Sequence, residues 1–279
     1  MVTPVVDAAQ TVGSIHETAI VDEKATIEPN VTIGPYSIVG PNVVLGEDCR
    51  LESHVVIGGN TTLGARNQIF SFASIGLQPQ DLKYRGEESR LDIGAGNVIR
   101  EHVTMNPGTE GGGMLTEIGN NCLFMVGAHV AHDCRVGNSV ILANNATLAG
   151  HVEVGDFAIL GGLSAIHQFV RIGKHSMIGG MSGIENDVIP YGSATGNRAH
   201  LTGLNVVGLK RRNFSRETIH EMRKAYRLLF AEEGTMTERM DDALESFGTV
   251  EPLMDIIEFI QSGAESSRAI CRPKFNRAA

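Results

Sequence analysis

Residues 31–64 read VTIGPYSIVGPNVVLGEDCRLESHVVIGGNTTLG. An aliphatic residue falls every six positions, at Ile33, Val39, Leu45, Leu51, Ile57 and Leu63, and Gly follows it at Gly34, Gly40, Gly46, Gly58 and Gly64. Two places before each aliphatic stands a compact side chain: Val31, Ser37, Val43, Cys49, Val55 and Thr61. Alternate residues facing one side mark a strand, and a period of six leaves room only for a short strand and a turn. Strands this short cannot bury a face alone, so they must coil and stack on one another as a solenoid.

The phase runs from Ile15 to Ile75, resumes at Ile93, Ile99 and Met105, and runs again from Ile118 to Ile184, 26 hexads in all. Three of the four Cys (Cys49, Cys122 and Cys134) take the small inward slot, which makes them packing residues. Two excursions interrupt the repeat, near 77–92 and 106–117. The first holds the charged run QPQDLKYRGEESR, which reads equally as a solvated loop or as a binding loop, with Lys83 able to reach a phosphate. The second contains Gly111-Gly112-Gly113, which reads as a connecting turn. The Gly-Lys-Ser/Thr of a phosphate loop does not follow it.

Beyond Pro190 the period becomes helical. Ser215 caps a helix carrying Ile219, Met222, Tyr226, Leu229 and Phe230, and Met240, Ala243, Leu244 and Phe247 mark a second, closed by Gly248. Pro252 opens a third, with Leu253, Ile256, Ile257 and Ile260 on one face and Gly263 after it. The expected architecture is an all-β solenoid over 1–190 followed by an α-helical domain over 191–279.

The 279 residues are 42% hydrophobic with a net charge of −9, which excludes a disordered chain. Four Cys are too few for a disulfide framework. Met1 to Gln10 show no leader pattern and no run has the length of a membrane span, so a cytoplasmic protein without membrane insertion is expected. The basic charge is concentrated: Arg198, Lys210, Arg211, Arg212, Arg216, Arg223, Lys224 and Arg227 face only Glu217 and Glu221 within 198–227. Such a patch suits phosphates or an acidic partner, or is a solvated helix face.

The repeat also says where several of the ten His point. His129, His132, His151 and His167 all miss the inward slots. With three hexads to a coil, the residue 18 positions on is the stacking neighbour, so His132 lies under Gly150 and then Gln168, and Asp133 lies under His151. An imidazole beside a carboxylate suits general base catalysis, and a bare Gly N–H suits a developing oxyanion. A polar corner without function has the same pattern.

The hexads resemble those of the left-handed parallel β-helix acyltransferases. The runs QDLKYRGE (80–87), AHVAHDC (128–134), ILANNATLAGHV (141–152), AIHQF (165–169) and GLKRRNFSRE (208–217) resemble the UDP-N-acetylglucosamine O-acyltransferases, over nearly the whole chain. The resemblance implies a homotrimer that moves a 3-hydroxyacyl group from acyl carrier protein to the sugar 3-position of UDP-N-acetylglucosamine or its 3-amino analogue, the first step of lipid A synthesis, at sites between adjacent prisms, with no cofactor, metal or nucleic acid. It implies His132 as general base, Asp133 as its orienting partner and the Gly150 N–H as oxyanion donor. Lys83, His129, His151, His167 and Gln168 would line the acceptor and pantetheine region, and Asp81 would contact the acyl 3-hydroxyl. Asn205, Arg211 and Arg212 would hold the nucleotide, and Gly180 would set acyl length, a long chain near 3-hydroxymyristoyl being expected. Val207 stands where the family motif has Glu, and Arg198 where it commonly has His.

Three other readings compete. The related N-acyltransferase carries an extra N-terminal domain, for which hexads starting at Ile15 leave no room. A zinc hydratase resembling gamma-type carbonic anhydrase would use His129, His132 and His151 as ligands. A non-catalytic scaffold would leave the outward His cluster unexplained.

Overall fold

The computed structural model describes residues 13–263 and 268–274; Met1–Gln10, read above for a leader, lie outside the described residues. The hexads form a left-handed parallel β-helix of triangular section, and a helical region follows it. Nine strands from Ile20–Val21 to Gly183–Ile184 make the first sheet, and eight from Thr26–Ile27 to Arg171–Ile172 make the second. The third starts at Thr32–Ile33 and ends with Met177–Ile178, Gly192–Thr195 and His200–Leu204. Strands a coil apart pair in parallel within each sheet, as in Ile38↔Val56 and Val39↔Ile57, and only the terminal His200–Leu204 of the described strands pairs antiparallel.

One residue of each pair points in. Leu45, Ile57, Ile69, Ile75, Ile99, Leu142, Leu148, Leu160 and Ile178 are fully buried, each burial contributing about 1.5–3 kcal/mol. The small slot is equally buried at Cys49, Cys122 and Cys134. Burial pushes the Cys134 thiol up to about 12, so it packs as a small hydrophobe with no thiolate to attack with.

Each corner turns on a residue in the left-handed region. Tyr36, His54, Phe72, His102, Asn145, Leu163 and Met181 do so before the first sheet, and Asp133 and His151 between the first and second. Asp48, Arg66, Phe157, His175 and Tyr191 do so between the second and third. Because coils are in register, corner side chains stack: Tyr36, His54, Phe72 and His102 form one column, and Phe157, His175 and Tyr191 another.

The excursions leave the prism without breaking its register. The chain departs after Ile75 and rejoins at Arg90, where Arg90–Ile93 pairs with Asn60–Leu63; it departs again after Met105 and rejoins at Leu115. Parallel pairing continues past the last hexad, since Ser193 and Ala194 pair with Met177 and Ile178 before an antiparallel hairpin turns the chain back.

Four α-helices follow among the described residues: α1 (Val206–Arg211), α2 (Arg216–Leu229), α3 (Met236–Phe247) and α4 (Glu251–Ser262). Ser215 caps α2, Gly248 follows α3, and Pro252 sits in the first turn of α4, as the sequence pattern predicts. The short α1, capped by Asn205, is not visible in that pattern. Arg171 docks α4 on the prism: its guanidinium donates to buried Asp187, to the Ser262 hydroxyl and to the Phe259 carbonyl, and stacks on the Phe259 ring.

Candidate active site

The corner between the first and second sheets brings His132, Asp133, Gly150 and His151 together. His132 Nδ1 donates to Asp133 Oδ2 at 2.7 Å, which leaves Nε2 as the basic nitrogen. The His132 ring lies over Gly150, where a Cβ would meet ring atoms at 2.5 Å, so only Gly lets the imidazole come this close. The Gly150 N–H has no protein acceptor among the described residues. His151 Nε2 is 3.8 Å from Asp133 Oδ2, its ring edge-on to His132 and stacked on Phe169. Burial holds the His151 imidazole below its ordinary pKa, against the pull of the Asp133 carboxylate, and burial does the same at His129.

Asp133 is fixed from a side the repeat does not reveal. Its carboxylate is buried and accepts from the Thr109 N–H at 2.8 Å and the Thr109 hydroxyl at 2.6 Å. Gly112 follows on the same short turn, and a Cβ on it would overlap the Asp133 carboxyl group. Within Gly111-Gly112-Gly113, read above as a connection, Gly112 therefore also packs on Asp133. Thr109 and Gly112, which touch Asp133, are not visible in the repeat, because they lie where the hexads break.

The other expected residues fall into separate groups. Lys83 and Asp81 lie in the first excursion, where the Lys83 N–H donates to Asp81 Oδ1 at 2.9 Å, and both charges act on His151. Glu87 of that loop accepts the Glu110 N–H at 3.2 Å, clasping the two excursions together. His129 lies on the outer face of the first sheet with Nδ1 2.7 Å from the Thr104 hydroxyl. His167 and Gln168 sit one coil beyond Gly150, where the Phe169 N–H donates to the Gly150 carbonyl at 3.2 Å.

Asn205, Arg211 and Arg212 belong to a different corner. Asn205 accepts the Gly208 N–H and donates to the His175 carbonyl at 2.9 Å, so its amide builds the junction between prism and helices. Arg212 donates to the Phe157 carbonyl at 3.0 Å with its guanidinium over the Phe157 ring, whereas Arg211 is exposed. Gly180 is exposed at the third corner, above Gly162. One chain thus spreads the expected residues over three corners.

Among the described residues, His132, Asp133 and His151 are the group whose ligand atoms converge, within 4.8 Å of one another. His129, required by the hydratase alternative, is not in it. A cavity of about 920 Å³ lies elsewhere, between the outer face of the second sheet and α4, and none of the expected site residues lines it.

Comparison with known proteins bears on this arrangement directly. The bacterial transferase hexapeptide repeat matches residues 14–47, 24–59 and 115–150, and the second domain of UDP-N-acetylglucosamine O-acyltransferase matches 187–271. The acyl-[acyl-carrier-protein]--UDP-N-acetylglucosamine O-acyltransferase of Caulobacter vibrioides is 56% identical over 261 residues, covering 94% of this chain and 98% of its own. The chain belongs to the UDP-N-acetylglucosamine O-acyltransferase family. A relative of the same name from Methylobacterium radiotolerans is 66% identical over 207 residues, 74% of this chain and 75% of that one. The solved UDP-N-acetylglucosamine acyltransferases agree in shape. That of Acinetobacter baumannii has a TM-score of 0.86 at 47% identity, covering 92% of this chain and 99% of its own. That of Bacteroides fragilis has a TM-score of 0.89 at 36% identity, covering 93% and 100%. Membership in the O-acyltransferase family disfavours both the hydratase and the scaffold readings.

Proposed function

We propose that this protein transfers a 3-hydroxyacyl group from acyl carrier protein to the 3-hydroxyl of UDP-N-acetylglucosamine, the first step of lipid A synthesis. The observation that carries the mechanism is the His132–Asp133 dyad lying against Gly150. His132 Nε2 takes the proton of the sugar hydroxyl as its oxygen attacks the thioester carbonyl carbon. Asp133 holds the ring in the tautomer this requires and stabilises the imidazolium. The thioester oxygen gains negative charge and accepts the Gly150 N–H. Collapse expels the pantetheine sulfur, which takes the proton from His132, so base and acid are one residue.

Lys83, His129, His151, His167 and Gln168 are assigned to the acceptor and pantetheine groups around the dyad, and Asp81 to the acyl 3-hydroxyl. Asn205, Arg211 and Arg212 are assigned to the nucleotide, where Arg supplies the forked donors that phosphate oxygens accept. A site spread over three corners of one prism closes only when corners of neighbouring prisms face one another, which favours the homotrimer. Exposed apolar side chains support it: Ile20, Tyr36, Ile38, Phe72, Leu77, Leu163, Phe169 and Met181, eight of the twelve large ones among the described residues, lie on the first sheet's outer face or its flanking corners. No described helix is long and apolar enough to cross a membrane. We assign the reaction to the cytoplasm.

The test is an acyl-transfer assay offering UDP-N-acetylglucosamine and its 3-amino analogue to the protein with a panel of 3-hydroxyacyl carrier proteins. His132→Ala serves as control, with kcat expected to fall roughly 10²-fold or more. No transfer to either sugar by the folded wild-type protein, or wild-type turnover by His132→Ala, overturns the reading.

A further inference from the structure

The C-terminal tail reaches the catalytic corner. Residues 268–274 do not trail from α4 but are stitched to the end of the prism. Asp187 donates its N–H to the Ala269 carbonyl and accepts from the Cys271 N–H, both at 2.8 Å, and the Leu201 N–H donates to the Arg272 carbonyl at 3.0 Å. Asp187 is itself buried and held by the Arg171 guanidinium at 2.7 Å. This anchorage delivers Arg268 to the coil just beyond Gly150. There its guanidinium donates through one terminal nitrogen to His167 Nδ1 at 2.6 Å and through Nε to the Gln168 carbonyl at 3.0 Å.

These two bonds fix a chemical state as well as a position. Arg has no acceptor atom, so His167 Nδ1 must be the acceptor and the neutral ring carries its proton on Nε2. The Gln168 carbonyl, 3.2 Å from the same Nδ1, is then satisfied by Arg268 Nε and not by the imidazole. His167 is exposed, so its Nε2–H is a donor offered to whatever passes this corner. A thioester carbonyl held at the Gly150 N–H has two substituents, and His132 closes one direction along the corner. The arm that leaves in the other direction passes His167 and Gln168, and a pantetheine arm, with its amide carbonyls, is a chain of hydrogen-bond acceptors.

We propose that Arg268 is a positioning residue for acyl transfer, holding His167 as the Nε2–H tautomer and Gln168 in place so that the coil beyond Gly150 receives the amide arm of the acyl donor. This rests on the acyltransferase reading for the identity of the arm, but the tautomer and the clamp do not depend on it.

Two measurements test it separately. Spectra of the [15N]histidine-labelled protein should show His167 Nδ1 as the unprotonated nitrogen in the wild type and a mixture of tautomers in Arg268→Ala. A protonated Nδ1 in the wild type overturns the proposal whatever the activity. In steady-state assays Arg268→Ala should raise KM for the acyl-carrier donor roughly tenfold, the scale of one hydrogen bond lost, with kcat and the UDP-sugar KM within about twofold. Arg268→Lys, which can make one bond of the two, should fall between. Adding His167→Ala to Arg268→Ala should cost little more than either alone. Equal KM in all these variants, or a loss confined to kcat, overturns it. Should Arg268→Ala fail to fold, Arg268→Lys and the wild-type spectrum decide. If wild-type protein transfers no acyl group, the functional reading fails while the spectrum still judges the clamp.

Discussion

A methyl group on Gly112 would occupy the space of the Asp133 carboxylate, and that carboxylate has nowhere to go. It is held by the Thr109 N–H, the Thr109 hydroxyl and the His132 ring. Gly112→Ala should therefore push Asp133 off these partners and spoil the orientation of His132 while leaving the coils stacked. A kcat loss of roughly 10²-fold is expected, the cost of misplacing a catalytic group by about 1 Å. Gly111→Ala is the matched control, because its Cβ would meet nothing within 4 Å. The comparison is kcat for both variants at equal melting temperature, and equal kcat would separate the turn from the dyad.

His175 should make the fold acid-sensitive. It stacks between Phe157 and Tyr191 at 4.8 and 5.2 Å, and burial lowers its pKa to about 4, aided by the Arg212 and Lys174 charges and opposed by Asp255 and Asp156. Between about pH 6.5 and about pH 4 the unfolded chain binds a proton at this site that the folded chain refuses, so stability falls as pH falls through that window. Above it both states are neutral and the site contributes no slope. His175→Phe keeps a ring in the column and removes the titration. Chemical denaturation at pH 7 and pH 5 should show a smaller loss for the variant than for the wild type; an equal loss would assign the acid sensitivity to other groups.

What the sequence reveals and what it hides follow from the period. The inward slots, the outward histidines and the neighbours Gly150 over His132 and His151 over Asp133 are fixed once a coil is 18 residues, and the ladder Ile38↔Val56 has that step. Thr109 and Gly112 lie where the hexads break, so no counting rule carries them to Asp133; a hydrogen-bonded return path does. Arg268 meets Gln168 across 100 residues of chain, through a tail whose few residues carry no periodic signal. The helix α1 spans six residues, too few for a periodic stripe, and only the Asn205 cap marks it.

The basic segment should govern the protein partner. Arg198, Lys210, Arg211, Arg216, Arg223, Lys224 and Arg227 are exposed, and none makes an ion pair among the described residues. Arg223 and Arg227 flank a shallow cavity of about 420 Å³ with Thr202 and Tyr226. Attraction between exposed charges is screened beyond roughly 8 Å at physiological ionic strength, so KM for an acidic acyl-carrier donor should rise steeply with salt. Arg223→Glu with Arg227→Glu should raise that KM roughly tenfold and flatten its salt dependence, each repelled carboxylate costing on-rate. A salt-independent donor KM would restrict the patch to nucleotide phosphates.

Acyl length should depend on Gly180. A Cβ there would meet only the Gly162 carbonyl and N–H, at 3.2 and 3.9 Å, so a side chain fits on the backbone and must extend outward along the corner. Gly162 beneath it is likewise small, and Met181 beside it points to solvent with 75% of its surface exposed. The corner is thus open at Gly180 and Gly162, with Asn144 one coil below Gly162, and a long donor near 3-hydroxymyristoyl is expected to be preferred. Gly180→Met would fill that opening. Each methylene denied burial loses about 0.8 kcal/mol, so excluding two of them should shift the long-to-short ratio of kcat/KM by roughly tenfold or more toward short donors. Because Gly180 lies on a different corner from His132, kcat for a short donor should stay near the wild-type value. The decisive comparison is kcat/KM for short and long 3-hydroxyacyl carriers on both proteins. An unchanged ratio would remove Gly180 from the acyl track.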